Sequence, residues 1–170
     1  MDIRQILLSE HSRISTDKIL AAVSHNPSSF GELMECFFDK ECRICQRASW
    51  PVSDLGEKQP ALFIPYLPRM IHSLEIRTHD AIVRNTVRTW QFMEFPDEFQ
   101  GQIFDICFKY ITNPKEAIAI RAFSITVCAN ICSNVPELRE ELVLAIEDQI
   151  EFGSPGFVNR ALKTIKKLNK

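Results

Sequence analysis

Glycine is scarce: the 170-residue chain has five, two of them in "FGSPG". All-β folds need many tight turns, and tight turns draw heavily on glycine. Val and Thr do not cluster in alternating runs either, so the composition turns towards helices. A phosphate-cradling loop has equally little to be built from. Neither G-x-x-x-x-G-K-[ST] nor G-x-S-x-G occurs, and no H-E-x-x-H or His-x-x-x-His spacing is present. Positive charge is not in excess, with 20 Lys and Arg against 22 Asp and Glu and a net charge of −2. Sequence-independent nucleic-acid binders normally carry a marked positive excess. No uncharged apolar run reaches transmembrane length, and "MDIRQILLSEHSR" lacks a small-residue cleavage site. A cytoplasmic location with reduced cysteines is the expectation, with no membrane role.

Six cysteines are present, but their spacing does not suit a metal. Cys42 and Cys45 form C-x-x-C inside a segment that reads as helix, and no second C-x-x-C exists to complete a tetrahedral zinc site. Cys128 and Cys132 stand four apart; Cys36 and Cys107 stand alone. Reduced cysteine behaves as a small apolar core residue. The expectation is no metal, no cofactor and no catalytic residue. His72, His79 and Asp80 have no spacing that makes them an acid–base or metal set.

What is abundant is helix punctuation. Ser15 opens "STDKILAAVSH", Ser29 and Glu32 have capping-box spacing, and Thr78 precedes "HDAIVRNTVRTWQFM". Pro96, Pro114, Pro136 and Pro155 fall where first helical residues would be. Ten helices are expected near 2–10, 16–25, 29–38, 40–50, 61–74, 79–94, 97–112, 115–133, 137–152 and 155–168. Pro51 should end or kink its helix, and Pro65 and Pro68 should do the same within "LFIPYLPRMIHSL". Leu142, Ala145, Ile146 and Ile150 make an apolar stripe that only Gln149 interrupts.

The helices alternate as pairs with very short links, each pair spanning about 34 to 40 residues, a length typical of helical solenoids. Arg43, Arg84, Arg121 and Arg160 recur inside otherwise apolar second helices at separations of 41, 37 and 39 residues. Asp39 precedes Arg43 by four residues, Asp80 precedes Arg84 by four and Glu116 precedes Arg121 by five. The segments "DAIVRNTVRTW" and "EAIAIRAFSITV" resemble the second helix of a HEAT repeat, and "IPYLPRMIHSL" resembles its first helix, proline included. The resemblance covers residues 29–168, with residues 1–28 matching by helix count alone.

It implies an all-α right-handed superhelix of about five antiparallel helix pairs, HEAT- or armadillo-like, as one domain over residues 1–170. Residues 1–28 would be an N-terminal cap, 29–153 the central repeats and 154–170 a capping helix. It also implies that Asp39, Arg43, Asp80, Arg84, Glu116, Arg121 and Arg160 form a ladder linking successive repeats. An arginine's five donors suit such a joint, and an acid is favoured at a helix N-terminus.

In such arrays second helices line the concave face, which draws attention to "RICQRASW" and "RNTVRTW". Arg47 and Arg88 sit one turn past the ladder arginines, each with a tryptophan nearby. Arg47, Trp50, Arg88 and Trp90, with His79 and Asn85, are therefore the candidate binding residues. The function that follows is a non-catalytic scaffold binding a protein or peptide on that face. The alternative is a nucleic-acid-acting protein similar to the HEAT-like alkylpurine DNA glycosylases, which the short chain and negative charge disfavour. The fumarase and adenylosuccinate lyase superfamily is excluded, because "NPSSF" is not its Gly-Ser-Ser-x-Met-Pro-type loop. Arg160, Lys163, Lys166, Lys167 and Lys170 make the last helix basic, opposite six acids in residues 136–152.

Overall fold

A computed structural model describes residues 2–77 and 79–169. Two expectations, Thr78 as a helix start and Lys170 in the basic tail, lie outside them. The described residues form ten α-helices and no strand. They fall into two compact units, Met1–Phe92 and Met93–Lys170.

The first unit holds α1 (Ile3–Ser9), α2 (Arg13–His25), α3 (Pro27–Phe37), α4 (Cys42–Lys58), α5 (Leu67–Ile76) and α6 (Asp80–Trp90). A 3-10 turn at Pro60–Tyr66 leads into α5, so Pro65 and Pro68 do break the 61–74 segment. Pro51 does not end its helix: α4 continues for two further turns. Proline removes a backbone donor, at about 3 kcal/mol in a helix interior. The turns beyond it bury Val52, Ser53, Leu55 and Gly56, and that burial offsets the loss. Gly56 is required where α4 meets α6, because a Cβ there would lie 2.7 Å from both Cγ2 and Oγ1 of Thr89.

Several caps differ from the sequence expectation. The capping box on α2 joins Ser12 to Ser15, so the helix starts at Arg13. Asn26 caps α3 by accepting from the Ser28 amide, and Pro27 takes the first helical position. Ser29 and Glu32 are thus no capping box; Glu32 instead accepts from the Ile3 amide at 2.8 Å, holding α1 to α3. His79 caps α6 through Nδ1, which accepts from the Ala81 amide at 3.0 Å. Arg77 ends α5 with a φ of 42°, the left-handed conformation usual for a helix stop.

The second unit holds α7 (Asp97–Thr112), α8 (Ile118–Ile131), α9 (Arg139–Ile150) and α10 (Pro155–Leu168). Pro155 takes the first position of α10, capped by Ser154. Pro96 is instead the residue before α7, and Pro136 opens a 3-10 turn. Pro114 lies in a turn whose Asn113 side chain accepts from the Lys115 amide, so α8 starts three residues later than expected. Ile103, Cys107, Ile120, Ile125, Cys128, Leu142, Ile146 and Phe157 form this unit's core.

Candidate functional site

A cleft of about 200 Å³ opens in the first unit. Helix α4 contributes Gln46, Ser49, Trp50 and Ser53, at the i, i+3, i+4, i+7 spacing of one helix face. Helix α6 contributes Arg84, Asn85 and Arg88, and His11 reaches in from the α1–α2 link. The His11 and Trp50 rings meet edge to face, 5.5 Å between centroids and 65° between planes.

The base of the cleft is internally bonded. The Ser53 hydroxyl donates to Asn85 Oδ1 at 2.7 Å, Asn85 Nδ2 donates to the Ala81 carbonyl at 2.8 Å, and Ser49 donates to the Cys45 carbonyl at 2.7 Å. These bonds lock three polar side chains whose donors would otherwise be buried unpaired. The arginines are different. Among the described residues, neither the Arg84 nor the Arg88 guanidinium has a carboxylate or carbonyl partner. The acids that could neutralise them are engaged: Asp80 with Arg77 at 2.8 Å, and Asp54 with Arg13 at 2.7 Å. Among the described residues, no carboxylate lines the cleft.

Of the residues the sequence singles out, Trp50, Asn85 and Arg88 meet here, joined by Arg84. Trp90 does not. It is 0% exposed and belongs to the core with Val83 and Val87. Arg47 also points elsewhere, donating to the Leu7 and Leu8 carbonyls at 2.6 and 3.1 Å. These are carbonyls at the α1 C-terminus, where a cation satisfies unpaired acceptors. Arg43 reaches the same Leu8 carbonyl at 3.5 Å. His79 lies beside the cleft, its Nε2 at 2.7 Å from Cys42 Sγ and 3.4 Å from Gln46 Nε2. Gln46, Ser49, Ser53 and His11 are the residues the sequence reading missed. The polar stripe 46–49–50–53 on α4 carried a signal for three of them; His11 carried none.

In the first unit the expected acid–arginine pairs are not the ones that form. Asp39 pairs with Arg4 rather than Arg43 and accepts from the Glu41 amide. That amide and Arg4 together hold its carboxyl below the usual range. Asp80 pairs with Arg77 rather than Arg84. In the second unit Glu116 accepts from the Ala117 amide at the head of α8. Arg121, 5% exposed, donates to the Ile111 carbonyl at 3.1 and 3.2 Å and to Gln149 Oε1 at 2.9 Å. Its guanidinium lies 4.3 Å from the Phe157 ring centroid. Arg121 thus ties α7, α8, α9 and α10 together without a carboxylate, and burial lowers its pKa. Gln149, the polar interruption of the α9 stripe, is there to accept from it. Arg160 donates to the Thr126 hydroxyl.

Five cysteines are buried and Cys42 is exposed. Burial pushes the Cys36, Cys45 and Cys132 thiols up to about 11, which keeps them protonated at neutral pH. No group of three or more metal-ligating side chains occurs among the described residues. No helix of the described residues is long and apolar enough to cross a membrane.

No curated protein and no solved structure matches the chain. The family described as the HEAT repeat domain matches it over residues 3–168. With its paired helices and strand-free described residues, the chain belongs to the HEAT repeat domain family.

Proposed function

We propose that this protein is a non-catalytic interaction scaffold that binds a protein or peptide across the face made by α4 and α6. A repeat-type scaffold is what membership of the HEAT family suggests. The observation that carries the reading is the cleft between these two second helices. It combines a half-buried tryptophan with two uncommitted guanidinium groups, the residue types that dominate binding energy at protein interfaces. Its two hydroxyls and its Asn85 amide are held by internal bonds, so they shape the surface. Two cations in one small cleft, on a chain of net charge −2, fall short of the continuous basic track a nucleic-acid backbone needs.

A peptide display library selected against the intact chain tests this. Selected peptides should lose about tenfold or more in affinity for a Trp50→Ala, Arg88→Ala double variant, as truncated interface anchors do. Circular dichroism checks that the variant keeps its helices. Binders indifferent to both substitutions would remove this face from consideration.

A further inference from the structure

We infer that the α4–α6 cleft recognises an aliphatic phosphate monoester on a peptide side chain, phosphoserine or phosphothreonine. This rests on the interaction-scaffold reading and specifies what that surface selects.

Size comes first. At about 200 Å³, the cleft lies below the roughly 300–1,000 Å³ of sites that enclose whole small molecules. It suits one side chain of a longer ligand whose remainder lies outside.

Charge comes second. Arg84 and Arg88 stand four residues apart on α6, on the same helix face, and both line the cleft without an acid beside them. Asp80 and Asp54, which the fold places on these same two helices, are paired to Arg77 and Arg13. A neighbouring carboxylate therefore does not compete for the two guanidinium groups. Together they present two positive charges, and a phosphate monoester carries about −1.5 to −2 at neutral pH with three acceptor oxygens. A glutamate or aspartate would compensate only one of them. Arginine's planar fork suits bidentate bonds to such oxygens.

Hydrogen-bond polarity comes third. The Ser49 and Ser53 hydroxyls have spent their donors on the Cys45 carbonyl and Asn85 Oδ1, and one Asn85 N–H goes to the Ala81 carbonyl. The Trp50 indole N–H has no partner among the described residues. The two guanidinium groups, this indole, the second Asn85 N–H and the Gln46 amide make the cleft rich in donors, which suits a group that accepts. Trp50 also offers an apolar wall for the methylene or methyl of the phosphorylated residue.

The test uses the intact chain and arrays of peptides with degenerate flanks and a fixed central phosphoserine, glutamate or serine. Selected sequences are then measured by calorimetry beside inorganic phosphate and a single-stranded oligothymidylate. The expected result is a phosphoserine preference of about tenfold or more over glutamate, corresponding to ~1.4 kcal/mol, with no measurable binding of the serine peptide. Arg84→Gln with Arg88→Gln should abolish that preference, while Lys166→Gln with Lys167→Gln leaves it unchanged. Equal binding of glutamate and phosphoserine peptides overturns the proposal, as does full retention by the double arginine variant. Inorganic phosphate binding as tightly as the phosphopeptide overturns the peptide source, and tighter binding of the oligothymidylate points to nucleic acid instead. Display-selected binders that depend on Trp50 and Arg88 yet gain nothing from phosphate overturn this inference and leave the scaffold reading standing.

Discussion

Arg84 in the first unit and Arg121 in the second occupy comparable positions in second helices, and they have opposite fates. Arg121 is buried, bonded to a carbonyl of α7 and an amide of α9, and stacked on an aromatic ring of α10. Arg84 is exposed at the mouth of a cleft with its guanidinium uncommitted. The residue type is the same; the surroundings differ. Around Arg121, an open carbonyl at the end of α7 and the Gln149 amide supply neutral acceptors. Around Arg84, Asp80 and Asp54 are already paired with Arg77 and Arg13. A repeated arginine therefore marks a position in the architecture, and its role is fixed by what the adjacent helices leave unsatisfied.

The most damaging way to break this contrast is Arg121→Ala. It strands the Ile111 carbonyl and the Gln149 amide and removes the packing over Phe157. The loss should be about 3 kcal/mol, read as a lowered midpoint in urea. Arg121→Met keeps the volume and should lose less, because replacing a buried charge with an apolar residue costs less than leaving a hole.

Gly56→Ala acts on the first unit through backbone spacing. Its new methyl meets the Thr89 side chain, which is buried and branched at Cβ, and α4 must shift away from α6. About 2 kcal/mol of stability should go, measured by thermal unfolding, and peptide affinity at the neighbouring cleft should fall with it.

The smallest stability effect sharpens the comparison most. Arg84→Gln with Arg88→Gln removes two charges that have no bonded partner among the described residues, so unfolding should move by no more than about 0.5 kcal/mol. A loss as large as that of Arg121→Ala would mean the two arginines are structural after all.

The helix count was legible because serine, asparagine and proline mark helix starts, and the short links fixed the pairing. The caps shifted by a few residues where two candidates competed, as Ser12 did with Ser15. Trp50 and Trp90 look alike as neighbours of an arginine, yet periodicity separates them. Trp90 continues the Val83–Val87 apolar stripe, whereas Trp50 lies in the polar stripe of Gln46, Ser49 and Ser53. Reading helix faces rather than local words would have placed Trp90 in the core. The destination of Arg47 was not legible in the same way. Its acceptors are the backbone carbonyls of Leu7 and Leu8, and a carbonyl leaves no mark on the identity of the residue that carries it. Arg121 and Gln149 were individually visible as polar residues in apolar stripes; only the packed unit shows that each explains the other.

The uneven exposure of the thiols has a practical consequence. Cys42 alone among the cysteines stands open to solvent, and it is linked through His79 to Gln46 at the edge of the cleft. A maleimide dye added to the unaltered chain should settle at this one position, giving a fluorescent reporter of occupancy without any engineered label.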